Sequence, residues 1–203
     1  MKTTIIGITG GSGSGKTYLA NKLIDTFKKD TINIIKMDSY YKDLGSLTMK
    51  EREVKNFDQP NAFDFELLIK HLNILFNTKT VGIPIYDYKT HTRKIEKEII
   101  NITPVIIIEG IFSIYYKKLR DLMDLTIFID TPNETRKERR IIRDKKSRDR
   151  TLKSILHQYE KMVEPMYIKY ISPMKKKSDL IIKENDKNNL NINKLVRYIN
   201  SKI

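Results

Sequence analysis

Apolar and polar positions along this chain follow two different spacings. Short β-branched runs predict buried strands, and apolar residues three and four positions apart predict amphipathic helices. The predicted strands are Thr3–Thr9, Ile32–Met37, Pro104–Gly110, Leu125–Asp130 and Leu180–Lys183. The predicted helices are Lys16–Lys29, Phe65–Phe76, a basic helix after Thr131, Leu152–Ile171 with its end near Pro173, and Leu190–Ile203. Strands that alternate with helices predict an α/β fold, a doubly wound parallel sheet covered on both faces.

The middle of the chain departs from this alternation. Val81–Tyr88 and Lys94–Ile102 have the pattern of strands, and a short polar stretch separates them, so about residues 81–102 are predicted to form a β-hairpin. Residues 39–63 have no clear period. Thr131 and Pro132 are predicted to cap the basic helix. No repeat, linker or low-complexity segment divides residues 1–203, which predicts one domain.

Composition excludes several kinds of chemistry. The 203 residues are 39% apolar, enough for a sizeable core, and include no cysteine. Disulfides, zinc–thiolate sites, iron–sulfur clusters and a cysteine nucleophile are therefore excluded. The longest apolar run, Val105–Ile108, is far too short to cross a membrane. No secretory signal is visible before the first strand, so we expect a soluble cytoplasmic protein with no membrane partner.

The charge of the chain is strongly positive. Lys and Arg number 39 against 25 Asp and Glu, a formal net charge of +14. A basic chain attracts polyanions, which are nucleic acids, acidic lipid headgroups or small phosphorylated ligands. The alternative is the Lys, Asn and Ile bias of an AT-rich genome, and only clustering of the cations distinguishes the two. Lys175–Lys177 is most simply a solvated surface run.

A glycine-rich loop follows the first predicted strand and precedes the first helix. Gly10–Thr17 fits the pattern G-x-x-x-x-G-K-[ST]. Its glycines allow the backbone N–H groups to turn inward around a phosphate, and the positive end of the helix adds to the attraction. Lys16 can then bridge the β- and γ-phosphates, and the Thr17 hydroxyl can bind Mg²⁺. This context predicts a nucleoside triphosphate site.

Two acids stand where such a site needs them, at the carboxyl ends of strands. Carboxylates at these ends hold Mg²⁺ and orient the nucleophile. Glu109 ends the most apolar strand, where an acid is costly to place, and Asp38 follows the second strand. A turn acid or a helix cap is the alternative interpretation for each. Asp130 also ends a strand, but Thr131 and Pro132 favour a capping role there.

The basic helix concentrates arginine in a lysine-rich chain. Arg136, Arg140 and Arg143 lie at positions i, i+4 and i+7, on one helix face. Arginine suits fork-like recognition of phosphate oxygens and stabilisation of a transferring phosphoryl group. The pattern predicts a lid, about residues 140–150, that closes over the triphosphate. A solvated basic face or a nucleic-acid patch is the alternative.

The middle region also carries aromatic and isolated polar side chains that suit a flat apolar ligand. They are Tyr40, Tyr41, Phe57, Asp58, Tyr86, Tyr88 and His91. Ordinary packing of loop and hairpin aromatics onto the domain is the alternative.

Short segments spread over nearly the whole chain share a family pattern. They are Gly10–Thr17, Asp38–Lys42, Asn56–Asp64, Pro84–Tyr88 with His91–Arg93, Glu109–Ile111, Asp130–Thr131, Arg139–Asp144, Arg148–Arg150 and Gln158–Tyr159. Through them the chain resembles the uridine kinases, also called uridine–cytidine kinases, which are P-loop kinases alongside phosphoribulokinase. The segments Asp-Ser-Tyr-Tyr, Phe-Asp-x-Pro-x-Ala-Phe-Asp and Tyr-Asp-Tyr with the following His-x-Arg are specific to this family, whereas the phosphate loop is generic.

The resemblance implies ATP or GTP as the phosphoryl donor and Mg²⁺ as the cofactor. Asp38 matches the general base for the ribose 5′-hydroxyl, and Lys16 and Arg143 complete the implied catalytic set. Thr17, Asp38 and Glu109 match the surroundings of Mg²⁺. The implied nucleotide-binding residues are Gly10, Gly11, Ser12, Gly13, Ser14, Gly15, Lys16, Thr17, Arg143 and Arg148.

The resemblance also implies uridine and cytidine as acceptors. Asp58 matches the acid that binds the ribose hydroxyls, and Tyr86 and His91 match residues that read the pyrimidine edge. The implied substrate-binding residues are Phe57, Asp58, Tyr86, Tyr88, His91, Arg140, Arg150 and Gln158. Homotetramers and inhibition by UTP and CTP, common in this family, are further expectations.

The chain departs from the family pattern at a few positions. Met37 replaces a frequent Gln, Asp149 stands where Gly is usual, and Glu164 stands where Lys or Arg is common. Lys183–Asn188 lacks a common Arg-Gly-Gly turn, which affects the expected donor preference. Two alternatives remain: a kinase of a sugar phosphate, which would need extra cations on the acceptor side, and a P-loop protein that binds nucleic acid through spread cations.

Overall fold

The computed structural model describes residues 2–147, 151–184 and 190–203. The strands are β1 Thr4–Gly10, β2 Ile32–Lys36, β3 Thr80–Asp87, β4 Thr92–Asn101, β5 Val105–Glu109, β6 Leu125–Asp130 and β7 Leu180–Lys183. The helices are α1 Lys16–Thr26, α2 Met49–Glu53, α3 Phe65–Thr78, α4 Lys117–Arg120, α5 Asn133–Ser147, α6 Leu152–Gln158, α7 Glu164–Met166 and α8 Leu190–Asn200. Each predicted strand is present, with ends that differ by a few residues.

Five strands form one parallel sheet in the order β2-β5-β1-β6-β7, which confirms the doubly wound α/β fold. The central strand β1 pairs with β5 on one side and β6 on the other, so that Ile8 lies opposite both Glu109 and Ile127. Every residue of β1 and β5 is buried, as β-branched strands covered on both faces should be. The strand order reverses at β1, and ligands of such sheets bind in the crevice at that point. The loop after β1 therefore lies at the ligand-binding edge.

Helices cover both faces of the sheet because strand residues alternate in direction. Leu19 of α1 and Ile199 of α8 pack with Ile6 on one face. On the other face, Leu72 of α3 packs with Ile5. Burying an aliphatic side chain of this size contributes roughly 1.5–3 kcal/mol, so the two layers fix the sheet that positions the loop.

The predicted hairpin is confirmed as a second, two-stranded antiparallel sheet of β3 and β4. The register shifts between Pro84 and Tyr86, which bends the ribbon. Val81, Ile83 and Ile100 pack onto the α3 face of the core.

The aperiodic region 39–63 contains short elements. A 3₁₀ turn spans Met37–Tyr40, and α2 starts with a capping box between Thr48 and Glu51. In this box the Thr48 hydroxyl and N–H donate to the Glu51 carboxylate, both at 2.8 Å. The spacing Thr-x-x-Glu is a recognised start signal, and it is the sequence feature that could have revealed α2.

The predicted capping role of Thr131 is wrong. Helix α5 starts at Asn133, and the Arg136 N–H donates to the Pro132 carbonyl. The Thr131 hydroxyl instead donates to the Ser14 carbonyl at 3.0 Å. This hydrogen bond ties the end of β6 to the glycine-rich loop, which connects β1 to α1.

The capping role predicted for Asp130 is also wrong. Its Oδ1 lies 2.6 Å from the Lys175 ammonium. The same contact corrects the interpretation of Lys175 as solvated, since its ammonium also lies 5.5 Å from the Phe128 ring centroid. Lys176 and Lys177 are exposed, as predicted.

The helix predicted over 152–171 is present with an irregular backbone. Two π-helical turns, Tyr159–Val163 and Tyr167–Ile171, flank the short α7. Pro165 lies in α7, where its missing N–H interrupts the regular hydrogen-bond ladder. A 3₁₀ segment, Ser172–Lys177, then leads to β7. Across residues 2–147, 151–184 and 190–203, no helix is long and apolar enough to cross a membrane.

Candidate active site

The glycine-rich loop wraps the start of α1. Gly10, Gly13 and Gly15 have φ values of 146°, 80° and 96°, a region that side-chain-bearing residues rarely adopt. At Gly13 an added Cβ would also lie 2.4 Å from the Arg136 carbonyl oxygen. Glycine is required there on both counts. The loop thus presents its backbone and the amino end of α1 as an anion-binding cradle.

Lys16 lies inside this loop, and its side chain is buried. Its ammonium donates to the carbonyls of Gly10 and Gly11 at 3.1 and 2.9 Å. Burial lowers the pKa of Lys16 below its usual value, against the opposing effects of Glu109 and Asp38. A phosphate oxygen entering the cradle would compensate this buried charge.

The two predicted strand-end acids lie beside Lys16. The Thr17 hydroxyl donates to Glu109 Oε1 at 3.1 Å. Burial raises the pKa of Glu109, with Lys16 lowering it and Asp38 raising it further. The Tyr88 hydroxyl donates to Asp38 Oδ2 at 3.2 Å, which links this acid to the hairpin. A hydroxyl and two carboxylates are hard oxygen donors of the kind that Mg²⁺ prefers.

Arg136 occupies a structural position beneath the loop. Its guanidinium donates to the Thr131 carbonyl and to Glu164 Oε2, both at 3.1 Å. It also stacks 3.7 Å from the Tyr167 ring centroid. Arg136 therefore fastens α5 to the segment around α7, and Glu164, a departure from the family pattern, supplies its counter-charge.

Arg140 and Arg143 instead face the crevice. Arg140 is buried, and its Nη1 donates to Asp58 Oδ1 at 3.3 Å, while its Nη2 donates to Gln158 Oε1 at 3.1 Å. Burial opposes its charge, but Asp58 and Asp144 outweigh burial and raise the pKa of Arg140. Arg143 reaches Ser12 Oγ of the loop at 3.3 Å.

Aromatic rings form the wall of the crevice opposite Arg140 and Arg143. The Phe57 and His91 rings are stacked at 4.6 Å with an interplanar angle of 14°. Tyr41 contacts Phe57 and Tyr86 at centroid distances of 5.5 and 5.1 Å. His91 has a φ of 55°, so the hairpin turn holds it in a conformation uncommon for a residue with a side chain.

These groups surround one cavity of about 690 Å³. The predicted residues that line it are Ser12, Lys16, Thr17, Asp38, Phe57, Asp58, Tyr86, Tyr88, His91, Glu109, Arg140, Arg143 and Gln158. Gly10, Gly11, Gly13, Ser14 and Gly15 form the loop beside it, whereas Arg148 and Arg150 lie outside the described residues. Tyr41, named among the aromatic residues of the middle region, also lines it, whereas sequence reasoning missed six lining residues: Met49, Glu53, Lys89, Gly110, Ile111 and Ser154.

The site combines a phosphate cradle with two strand-end acids and two arginines that face an aromatic wall. This combination is that of a P-loop kinase. The family described as "Phosphoribulokinase / Uridine kinase family" matches residues 5–191, and the chain belongs to this family. The resemblance found in the sequence is confirmed.

Named relatives agree with this membership. The chain is 46% identical over 199 residues to a uridine kinase of Clostridium novyi (strain NT), with 98% of this chain and 96% of the relative covered. It is 46% identical over 202 residues to a uridine kinase of Macrococcus caseolyticus (strain JCSC5402), with coverage of 100% and 98%. A solved phosphoribulokinase from Rhodobacter spheroides shares the fold, with a TM-score of 0.66, 16% identity, and 90% of this chain and 70% of that chain covered.

Proposed function

We propose that this enzyme transfers the γ-phosphoryl group of ATP to the 5′-hydroxyl of uridine, giving UMP, and that cytidine is a second acceptor. The observation that carries the proposal is a continuous cavity that joins the phosphate cradle to the Phe57 and His91 wall. Relatives at 46% identity over nearly full length bear the name uridine kinase.

The donor half of the cavity fits a triphosphate. Lys16 and Arg143 bring positive charge to the cradle, where charge develops on the transferring group. Thr17, Asp38 and Glu109 would hold Mg²⁺, which neutralises phosphate charge when bound. Among the described residues, no group of three or more His, Asp or Glu side chains gathers at a metal-binding distance. The two carboxylates of Asp38 and Glu109 suit Mg²⁺, which uses one or two protein carboxylates together with substrate phosphates.

The acceptor half fits a ribonucleoside. Asp38 stands between the cradle and the hairpin, where a carboxylate can accept the proton of the 5′-hydroxyl as it attacks. Asp58 lies on the far side, and a carboxylate that only accepts hydrogen bonds suits two ribose hydroxyls. Phe57 and His91 supply flat faces for a pyrimidine, and Tyr86 closes the wall.

The arginine distribution supports a small-molecule substrate over nucleic acid. Arg136, Arg140 and Arg143 all contact acids or the phosphate loop inside the protein. A nucleic-acid groove would need cations spread along an outer surface. GTP as a donor, inhibition by UTP or CTP, a tetrameric assembly and a cytoplasmic location rest on the resemblance and composition and stay predictions.

The test is a coupled assay with Mg²⁺ and ATP against uridine, cytidine, 2′-deoxyuridine, adenosine and ribulose 5-phosphate. We expect turnover of uridine and cytidine, much weaker use of 2′-deoxyuridine, and none of the sugar phosphate. Lys16→Ala, measured in parallel, excludes a contaminating kinase. Turnover of ribulose 5-phosphate without uridine turnover would contradict the proposal.

A further inference from the structure

A buried carboxylate outside the cavity lining joins the two arginines of the site. Asp144 in α5 is fully buried. Its Oδ1 accepts from Arg143 Nε at 3.0 Å, and its Oδ2 lies 3.4 Å from Arg140 Nε. A carboxylate this deep is costly unless its charge is balanced. Here two guanidinium groups share this one carboxylate and balance its charge.

The far ends of these arginines reach different substrate subsites. Arg140 Nη1 contacts Asp58 on the acceptor side, and Arg143 Nη2 contacts Ser12 in the phosphate loop, both at 3.3 Å. A continuous chain of polar contacts therefore links five residues in order: Asp58, Arg140, Asp144, Arg143 and Ser12. It runs from the acceptor wall to the cradle along α5.

We propose that Asp144 is a positioning residue that couples acceptor binding to donor binding, an inference that rests on the proposed function. A ribose bound at Asp58 competes for the carboxylate that Arg140 contacts, so Arg140 turns more fully to Asp144. Asp144 then holds Arg143 less tightly, and Arg143 is released toward the donor phosphates. The exchange runs equally in reverse, because coupling between two sites is reciprocal.

The test is the affinity of each ligand in the presence and absence of the other. Calorimetry gives the Kd of uridine with and without a saturating non-hydrolysable ATP analogue and Mg²⁺, and the Kd of the analogue with and without uridine. In the wild type we expect each ligand to lower the Kd of the other by the same coupling factor, about 5-fold or more. In Asp144→Asn, which keeps the shape and removes the charge, we expect the factor to fall close to one.

Two further variants separate coupling from stability. Asp179→Asn is the matched control, because Asp179 Oδ2 accepts from the Thr126 N–H and hydroxyl at 2.8 and 2.7 Å and lines no part of the cavity. It should keep the wild-type factor. Ser12→Ala cuts the donor end of the chain without removing charge and should lower the factor, so it carries the test if Asp144→Asn does not fold.

The outcomes distinguish this inference from the proposed function. A wild-type protein that binds both ligands with a factor of one overturns the coupling alone, as does a folded Asp144→Asn with an unchanged factor. Should Asp144→Asn not fold, an unchanged factor in Ser12→Ala overturns it. A wild-type protein that binds the analogue but no uridine overturns the proposed function and this inference with it.

Discussion

At the scale of single residues, the site is built from charges that burial makes costly. Lys16, Glu109 and Arg140 are all buried, and each lies next to a group of opposite charge. Buried charges of this kind are typical of functional sites. A buried ion pair that served stability alone could be replaced by apolar residues with little loss of stability. The side chains that matter for turnover are therefore expected to be separable from those that matter for folding.

Asp38→Asn should lower kcat by a factor on the order of 10²–10³, the usual cost of losing one such group. The amide keeps the shape of Asp38 and its contact with Tyr88 but cannot take the proton of the acceptor. Steady-state kinetics and thermal unfolding measure the two effects, and the unfolding midpoint should change little. Asp25→Asn, on the exposed face of α1, is the control. A near-wild-type kcat would show that Asp38 is not the general base but only a turn acid at the end of a strand.

His91→Asn should change the ratio of uridine to cytidine use more than the KM for ATP. A neutral imidazole offers one donor and one acceptor, which suits the carbonyl of uridine and the amine of cytidine. Asn tolerates the left-handed backbone found at His91, so the variant removes the ring without straining the turn. The measurement is kcat/KM for both nucleosides. An unchanged ratio with an altered KM for ATP would place His91 outside the acceptor site.

Stability should depend on pH through Glu109. Burial raises its pKa in the folded protein, whereas the unfolded chain titrates near the usual value of about 4.3. At pH values between the unfolded and the folded pKa of Glu109, the folded protein binds more protons than the unfolded chain does. The free energy of unfolding therefore falls as pH rises. Glu109→Gln removes that dependence. The free energy of unfolding of Glu109→Gln minus that of wild type should therefore increase with pH and then level off.

Urea unfolding at pH values from about 4 to about 8 measures this difference. The level of the plateau depends on how Lys16 responds to losing its neighbour, but the direction of the slope does not. A difference that is constant with pH would mean that Glu109 titrates in the folded protein as it does in the unfolded chain.

At the scale of elements, the aromatic wall of Phe57, Tyr86 and His91 depends on hydrogen bonds between α2 and the hairpin. The Arg52 guanidinium of α2 donates to the carbonyls of Leu47, Thr90 and Gly45 at 2.8, 2.8 and 3.0 Å. Thr90 lies in the hairpin turn directly before His91. One arginine thus ties two loops into a single wall.

Arg52→Ala removes all three hydrogen bonds, and it should raise the KM for uridine about 10-fold, since the charged hydrogen bond from α2 to the hairpin at Thr90 is lost. The KM for ATP should stay near wild type because Arg52 does not reach the cradle. Arg120→Ala is the matched control, as Arg120 Nη1 donates to the carbonyls of Ile114 and Tyr115 and Arg120 lines no part of the cavity. Equal rises in both KM values would show a general loosening of the protein.

Elements that depend on local pattern could be predicted, and elements that depend on distant contacts could not. The β-branched runs of β1 and β5 and the loop Gly10–Thr17 carry their structure in adjacent residues. The partners of Asp130 and Thr131, by contrast, lie on chain segments tens of residues away. For the same reason the sequence could name Arg136 as a basic residue but not show that it lies under the loop.

At the scale of the whole molecule, charge is distributed unevenly. The chain carries a formal +14, whereas the cations in the cavity lie beside acids. A long-range positive field should draw an anionic donor toward the crevice, and such steering weakens as salt screens it. The association rate of a fluorescent ATP analogue should fall several-fold between about 20 and about 300 mM salt, with little change in dissociation. Uridine is uncharged and is the internal control: an equal salt effect on its association would contradict steering.

The hairpin is a sheet of its own, and its two ends meet where the Ile102 N–H donates to the Lys79 carbonyl at 2.8 Å. Tyr86, Tyr88 and His91 sit at its far end, while the phosphate loop belongs to the central strand of the other sheet. Under the proposed function, the part of acceptor recognition that Tyr86, Tyr88 and His91 carry is therefore separate from the phosphate loop. A hairpin with other residues at its far end, kept on the same two anchor residues and with the core contacts of Val81, Ile83 and Ile100, should offer both evolution and protein engineers a route to new acceptors that leaves the phosphate machinery in place.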